Sequence, residues 1–188
     1  MRLRFGRLKG MEVVADKEGR LLGSVRKLLL DSKRKTALGV VFKSKALSAE
    51  RWAKLSAVTR VGEDILFLGD SESVRDDAPP GRDIHDMLGL SVTSMDGKRL
   101  GSLEDVVLDP ADWNLCALVL DNGGEVDLDE EAVLGEDTVL LRKGAGDQIR
   151  PASPQGGFLA RVFHSEPPPE PEVWNGRTPR KGKRRPKG

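Results

Sequence analysis

The stretch from Val14 to Val25 recurs from Val92 to Leu103. An offset of 78 aligns Gly19 with Gly97, Leu22 with Leu100 and Gly23-Ser24 with Gly101-Ser102. The same offset carries Leu30-Asp31 onto Leu108-Asp109 and Val41-Phe42 onto Val119-Leu120. Beyond that point the offset is 73: Leu55 meets Leu128, and Gly62-Glu63-Asp64 meets Gly135-Glu136-Asp137. The first copy therefore holds five extra residues between Phe42 and Leu55, an insertion that a surface loop absorbs at small entropic cost. A chain with such internal similarity is expected to fold as two like units.

Each copy reads as β-structure. Glu18-Gly19 and Asp96-Gly97 are hairpin-turn dipeptides, because glycine takes positive φ without steric cost. Val25, Leu28 and Leu30, like Leu103, Val106 and Leu108, alternate imperfectly with polar residues, which predicts long strands interrupted by a bulge. Ala37–Phe42 and Leu115–Leu120 are near-continuous apolar runs, expected as central strands. A short helical turn follows in each copy. Ser56 and Asp129 are expected to cap it, and Gly62 and Gly135 to end it in a left-handed conformation. The expected class is all-β: two small barrels in tandem. Residues 1–70 form the first module, 71–84 a linker stiffened by Pro79-Pro80, and 85–144 the second module. A disordered, proline-rich basic tail, 145–188, completes the chain. A unit of this length is marginal for an independent core, so the two copies are expected to pack together.

The formal net charge of +1 hides a layout. Residues 1–84 carry 18 Lys/Arg against 12 Asp/Glu, residues 85–144 carry 4 against 14, and residues 145–188 carry 9 against 4. The modules are thus opposite in sign, which makes their mutual association a testable expectation. Tyr is absent and aromatics are 4% of the chain, so platforms for stacking bases or sugars are scarce. No apolar run reaches the ~18 residues of a spanning helix, and the N-terminus has no apolar leader segment. A cytoplasmic location is expected.

Most chemistries lack their parts. The single cysteine, Cys116, sits in an apolar run and reads as a small buried hydrophobe. His85 and His164 are dispersed and read as solvated. The densest acidic stretch, Asp121 to Glu131, lacks the spacing of a calcium loop. Alternation places Glu125, Asp127 and Asp129 on one side of an extended chain, expected as a solvated acidic edge or a face for a basic protein. The glycines serve turns, since no phosphate-cradling motif is present. No cofactor, metal or catalytic set is expected, and the chain does not read as an enzyme.

The ordered pattern around Val14, Gly19, Leu22-Gly23-Ser24-Val25, Asp31 and Gly62-Glu63-Asp64, repeated at Val92, Gly97, Leu100-Gly101-Ser102-Leu103, Asp109 and Gly135-Glu136-Asp137, resembles the PRC-barrel family. The resemblance spans roughly residues 8–70 and 86–143. The family includes the cytoplasmic domain of the photosynthetic reaction centre H subunit and the C-terminal domain of the bacterial ribosome maturation factor. What it implies is a small β-barrel used for protein contacts, with no general catalytic set to carry over. The chain differs from the first branch in lacking its membrane helix. It differs from the second in carrying another PRC-like copy where that factor has a different barrel.

A protein-interaction or adaptor role is therefore expected, with a ribosome- or RNA-associated assembly factor as the alternative. The candidate contact residues are Trp174, Arg177, Arg180, Lys181, Lys183, Arg184, Arg185 and Lys187. This polycation suits an acidic protein, nucleic acid or anionic lipid. Phe158, Leu159, Val162 and Phe163 form a second apolar cluster in the same tail.

Overall fold

The computed structural model describes residues 2–44 and 49–152. It opens with β1 (Leu3–Arg4) and a single helical turn, α1 (Phe5–Leu8). Then come β2 (Glu12–Ala15), β3 (Arg20–Asp31), β4 (Thr36–Lys43), β5 (Glu50–Lys54), β6 (Val58–Val61), β7 (Ile65–Leu68) and β8 (Val74–Arg75). The second half runs β9 (Arg82–Asp83), β10 (Ser91–Ser94), β11 (Arg99–Leu108), β12 (Leu115–Leu120), β13 (Gly124–Asp127), β14 (Val133–Leu134), β15 (Thr138–Leu141) and β16 (Arg150–Pro151).

Two eight-stranded sheets share one topology. The first runs β6-β7-β2-β3-β4-β5-β8, and the second β14-β15-β10-β11-β12-β13-β16. In each, one parallel pair (β2 with β7, β10 with β15) joins otherwise antiparallel ladders. β4 and β12 lie inside their sheets, as their apolar runs require. Gly19 and Gly97 take φ of 58° and 86° at the hairpin tips. The broken alternation resolves into two irregularities per long strand, at Val25/Lys27 and Leu29/Leu30, and at Leu103/Asp105 and Val107/Leu108.

The sheets are open paths, not closed barrels. β3 has two partners along one edge. β2 covers its first half, and the remainder of that edge is taken by β9 from the other repeat, through Arg82 opposite Leu30 and Asp83 opposite Leu29. Reciprocally, β1 crosses to β11, with Leu3 opposite Leu108 and Arg4 opposite Val107. Each repeat thus lends its first strand to its neighbour's sheet. The β3–β4 and β11–β12 hairpins also meet, Thr36 bridging Asn114, which is the same repeat position. Lys35 and Trp113, again equivalent, are the two non-glycine residues with positive φ among those described (54° and 61°).

The exchange delivers apolar side chains as well as strands. Phe5 and Leu8 of α1, and Ile84 and Met87 of the matching turn, are buried in one continuous core. That core also takes Val13, Leu28, Val40 and Phe42 from the first sheet and Val92, Val106, Leu118 and Leu120 from the second. The two halves therefore share a core that neither would complete alone.

Three sequence readings change. The offset before the hairpin is 79, not 78. Val13, not Val14, matches Val92: both are fully buried, and both lie opposite the equivalent glycine of the long strand, Gly23 or Gly101. One residue of slip inverts the faces of a strand, and sequence identity at Val14 concealed it. Ser56 does not cap its 3₁₀ turn, which Lys54 begins without a side-chain bond, whereas Asp129 accepts from the amide of Ala132 at 2.9 Å. Gly62 and Gly135 are not left-handed. A Cβ there would meet the carbonyl of Ile65 at 3.1 Å or of Thr138 at 2.6 Å, so close approach is the constraint.

The linker and tail boundaries also cut through ordered structure. Ser71–Ser73 with β8, and Ala145–Gln148 with β16, are the same final 3₁₀ turn and strand in the two repeats. Two-residue strands carry no periodicity to read. Asp76 to Pro80, between β8 and β9, forms neither strand nor helix. The described residues contain no helix long and apolar enough to cross a membrane.

Asp105, on β11, fastens the lent segment. Its carboxylate accepts from the Gly6 amide at 3.1 and 3.2 Å and from its neighbour Val106 at 2.8 Å. Burial nonetheless pushes its pKa up to about 6. Because the folded value is raised, this group's contribution to stability is complete below its unfolded value and is lost as pH rises through about 6. The expected loss is roughly 2–3 kcal/mol at 1.36 kcal/mol per unit. Urea unfolding midpoints of Asp105→Asn between pH 4 and 7 should show that decline flattened relative to wild type. An unchanged profile would assign the decline to other groups.

Candidate functional site

The outward faces of the two sheets are built from equivalent positions and finished in opposite ways. On the first, Leu29, Val41 and Trp52 form a small apolar cluster joined by Leu38. On the second, Val107, Ala117 and Val119 do so, joined by Cys116 and Ala152. The repeat places Leu29 with Val107, Val41 with Val119, Leu38 with Cys116, Trp52 with Glu125 and Lys54 with Asp127. On the neighbouring strands, Arg75 lies opposite Trp52 and Arg150 opposite Glu125.

The second face is closed by ion pairs. Glu125 is 4% exposed. Its Oε1 receives Arg2 at 2.9 Å and Arg150 at 2.8 Å, while Arg4 stands 3.8 Å from Oε2. Asp127 receives Arg2 at 2.9 Å and Arg150 at 2.6 Å. Hydrogen bonds from Arg150 and then Arg2 hold the Asp127 carboxyl down at about 2, and the two carboxylates hold the Arg150 guanidinium above its usual range. Asp129 pairs with Arg142 at 2.9 Å. The alternation of Glu125, Asp127 and Asp129 was legible, but the solvated acidic edge expected from it is instead neutralised by arginines, two of them 120 or more residues upstream. Among the described residues no cluster of His, Cys, Asp and Glu is placed to hold a metal ion.

The first face is covered by a loop rather than by ion pairs, and Trp52 is as buried as Glu125, at 4% exposed. Gly39, whose counterpart is Ala117, leaves room for the Trp52 ring: a Cβ there would lie 3.3 Å from it. The Trp52 indole donates to the Asp77 carbonyl at 2.9 Å, which straps the 76–81 loop across the face. Arg75 lies 5.9 Å from the ring centre, a cation–π distance. Beside the strap runs a groove of about 480 Å³, walled by Leu38, Trp52, Leu55, Pro80 and Trp113, with Lys54 and Asp112 as its charged lining. It continues past Lys54 and Ser56 into a shallower cleft that reaches Arg75. Gly81 occupies the repeat position of Arg2, so the side chain that fills the second face has no counterpart here. Neither Lys54 nor Arg75 has a carboxylate partner among the described residues.

The residues singled out from sequence fall elsewhere. Trp174, Arg177, Arg180, Lys181, Lys183, Arg184, Arg185 and Lys187 lie outside the described residues, as do His164 and the cluster from Phe158 to Phe163. His85 is exposed, as expected. Its Nδ1 is 2.8 Å from Asp83, its Nε2 is 3.4 Å from Lys9 Nζ, and its ring meets Phe5 edge-on. Cys116 is half-buried with its thiol donating to the Val107 carbonyl, and burial pushes its pKa up. Trp52, Trp113 and Leu38 were not anticipated. Their signal was present as a mismatch: Trp52 against Glu125 and Leu38 against Cys116 are the places where the repeat exchanges apolar bulk for charge or small size.

Residues 80–148 match the family model described as PRC-barrel domain. The match runs from the strap before β9 to the 3₁₀ turn before β16, and so takes in most of the second repeat. No curated protein matches the chain.

Removing Glu125 leaves three arginines facing a buried vacancy. Glu125→Ala should lower stability by about 3 kcal/mol, as breaking a buried pair does. Arg2→Ala, whose side chain is 44% exposed, should cost about 1 kcal/mol or less. Chemical denaturation of the two variants checks the ordering, and equal losses would contradict it.

Proposed function

We propose that this chain is a non-catalytic protein-interaction module made of two PRC-type repeats in tandem. Its binding surface is the open groove of the first repeat. The polybasic run from Arg177 to Lys187 provides a second contact, to an acidic partner. One observation carries the reading: of two equivalent outer faces, one is sealed by the Arg2–Glu125–Asp127–Arg150 network, and the other has no such network and carries a groove walled by Leu38, Pro80 and Trp113 beside the buried Trp52. The family match over the second repeat, together with the shared strand order, supports taking the first repeat as the same type. An aromatic-walled groove whose lining carries both Lys54 and Asp112 suits a polypeptide with apolar side chains flanked by charge. An RNA- or ribosome-associated role is the alternative, resting on the basic tail and the excess of Lys/Arg in residues 1–84.

A photo-crosslinking side chain at Ser56 in the full chain, compared with the same group at the equivalent Asp129, separates these in nuclease-treated lysate. Crosslinking to a discrete polypeptide from Ser56 but not from Asp129 is expected. Equal yields at both positions, or none at Ser56, would overturn the groove as the binding surface. Retention of RNA that disappears when Arg180, Lys181, Lys183, Arg184 and Arg185 are replaced by Gln would favour the alternative.

A further inference from the structure

We propose that the strap from Asp76 to Gly81 is a lid on the outer face of the first sheet, latched by the Trp52 indole and released at its β8 end. This rests on reading the groove as a polypeptide-binding surface and names what regulates entry to it.

The strap divides two cavities. On one side lies the groove of about 480 Å³, at the Thr36–Leu38 end of β4. On the other lies a cavity of about 300 Å³ beneath Asp77, Pro79 and Gly81, reaching Leu29, Val41 and Glu50. Trp52 lines both. Leu38 and Val41 belong to one strand, so the cavities follow one another along β4 and the strap crosses between them. Lifting it joins them into a single channel floored by Leu29, Leu38, Val41 and Trp52, the apolar cluster of this face. With the strap down, Leu29, Val41 and Trp52 are buried.

Little holds the strap in place. All of Asp76 to Gly81 is exposed, and none of it is strand or helix. Outside the ladders at its ends, its one hydrogen bond among the described residues is from the Trp52 indole N–H to the Asp77 carbonyl, at 2.9 Å.

Its length decides how it opens. The strap leaves β8, passes over β5, β4 and β3, and arrives at β9. Four strand spacings of ~4.8 Å make that crossing about 19 Å. From Arg75 to Arg82 the chain reaches at most about 23–25 Å. Arching over a layer of side chains uses most of the difference. The strap is therefore nearly taut, and it cannot clear a bound segment while both ends stay paired. The β9 end is firmly seated. Arg82 donates to the carbonyls of Gly135, Asp86 and Glu136 at 2.6, 2.9 and 3.1 Å, and Ile84 and Met87 just beyond are buried in the core. β8 is two residues on the sheet edge, with Val74 half-buried and Arg75 exposed. β8 is the end that lets go, and Gly81, at a φ of 84°, is the pivot. Such a local opening needs far less free energy than global unfolding.

Hydrogen exchange of the Trp52 indole N–H in the full chain, read by NMR beside the backbone amides of β4, tests the lid. Protection at least tenfold below that of the β4 amides, and insensitive to low concentrations of urea, is expected. Protection equal to theirs, with the same urea dependence, overturns the proposal, because the strap would then come away only on global unfolding. Gly-Ser-Gly inserted after Ala78 slackens the strap and should lower the indole protection a further tenfold with β4 unchanged. Val74→Ala, which loosens β8, should lower it at least threefold. No change in either variant contradicts a taut strap released at β8. The slackened chain should also crosslink a polypeptide from a photo-reactive group at Ser56 at least twofold more than the unaltered strap does, and an equal yield contradicts gating. Crosslinking at Ser56 with indole exchange only by global unfolding strikes the lid alone. Local opening with no crosslink at Ser56 strikes the groove as a binding surface, and the gating role with it.

Discussion

The pairing of Leu3 with Leu108 and of Arg82 with Leu30 sets the conditions for everything else in the molecule. A lone repeat would expose the unpaired far edge of β3 or β11, and an open edge invites association. Here each repeat closes its neighbour's edge, and the exchanged turns carry Phe5, Leu8, Ile84 and Met87 into a common core. The arrangement follows the logic of a two-fold dimer held within one chain, with Thr36 and Asn114 meeting across the approximate axis. It also accounts for the charge layout. A basic half and an acidic half are brought together by Arg2 and Arg4 on Glu125.

A two-fold device with identical halves would present two identical faces. Divergence at a few equivalent positions breaks that symmetry. Glu125 and Asp127, in place of Trp52 and Lys54, capture Arg2 and Arg150 and seal one side. Gly81, in place of Arg2, and Gly39, in place of Ala117, leave the other side without that network and let the Trp52 ring pack against the Gly39 backbone. The sealed side contributes to stability through a buried, multiply bonded carboxylate. The other side retains a groove with apolar walls beside Lys54 and Arg75, which meet no carboxylate among the described residues, and this is the kind of surface on which a function other than folding can rest.

Much of the scaffold was legible in residue order. The glycines at 19 and 97 announced the hairpins, the apolar runs at 37–42 and 115–120 announced the inner strands, and the shift in offset located an insertion in one loop. What escaped was non-local. The exchange of β1 and β9 leaves no periodic trace, since two-residue strands are defined only by the partner they find. The final strands, Val74–Arg75 and Arg150–Pro151, were read as linker and tail for the same reason. Glu125 was read as solvated because Arg2 and Arg150 are distant in sequence. The groove was hidden in differences between the copies, whereas the repeat was found from their similarities.

The central claim is the reciprocal exchange, and backbone nuclear Overhauser contacts test it most directly. Cross-strand contacts of Leu3 with Leu108, and of Arg82 with Leu30, are expected in the intact chain at any protein concentration. Contacts of Leu3 with Leu30 and of Arg82 with Leu108 would show each repeat closing on itself. That result would contradict the shared core and, with it, the explanation of why the two outer faces are finished differently.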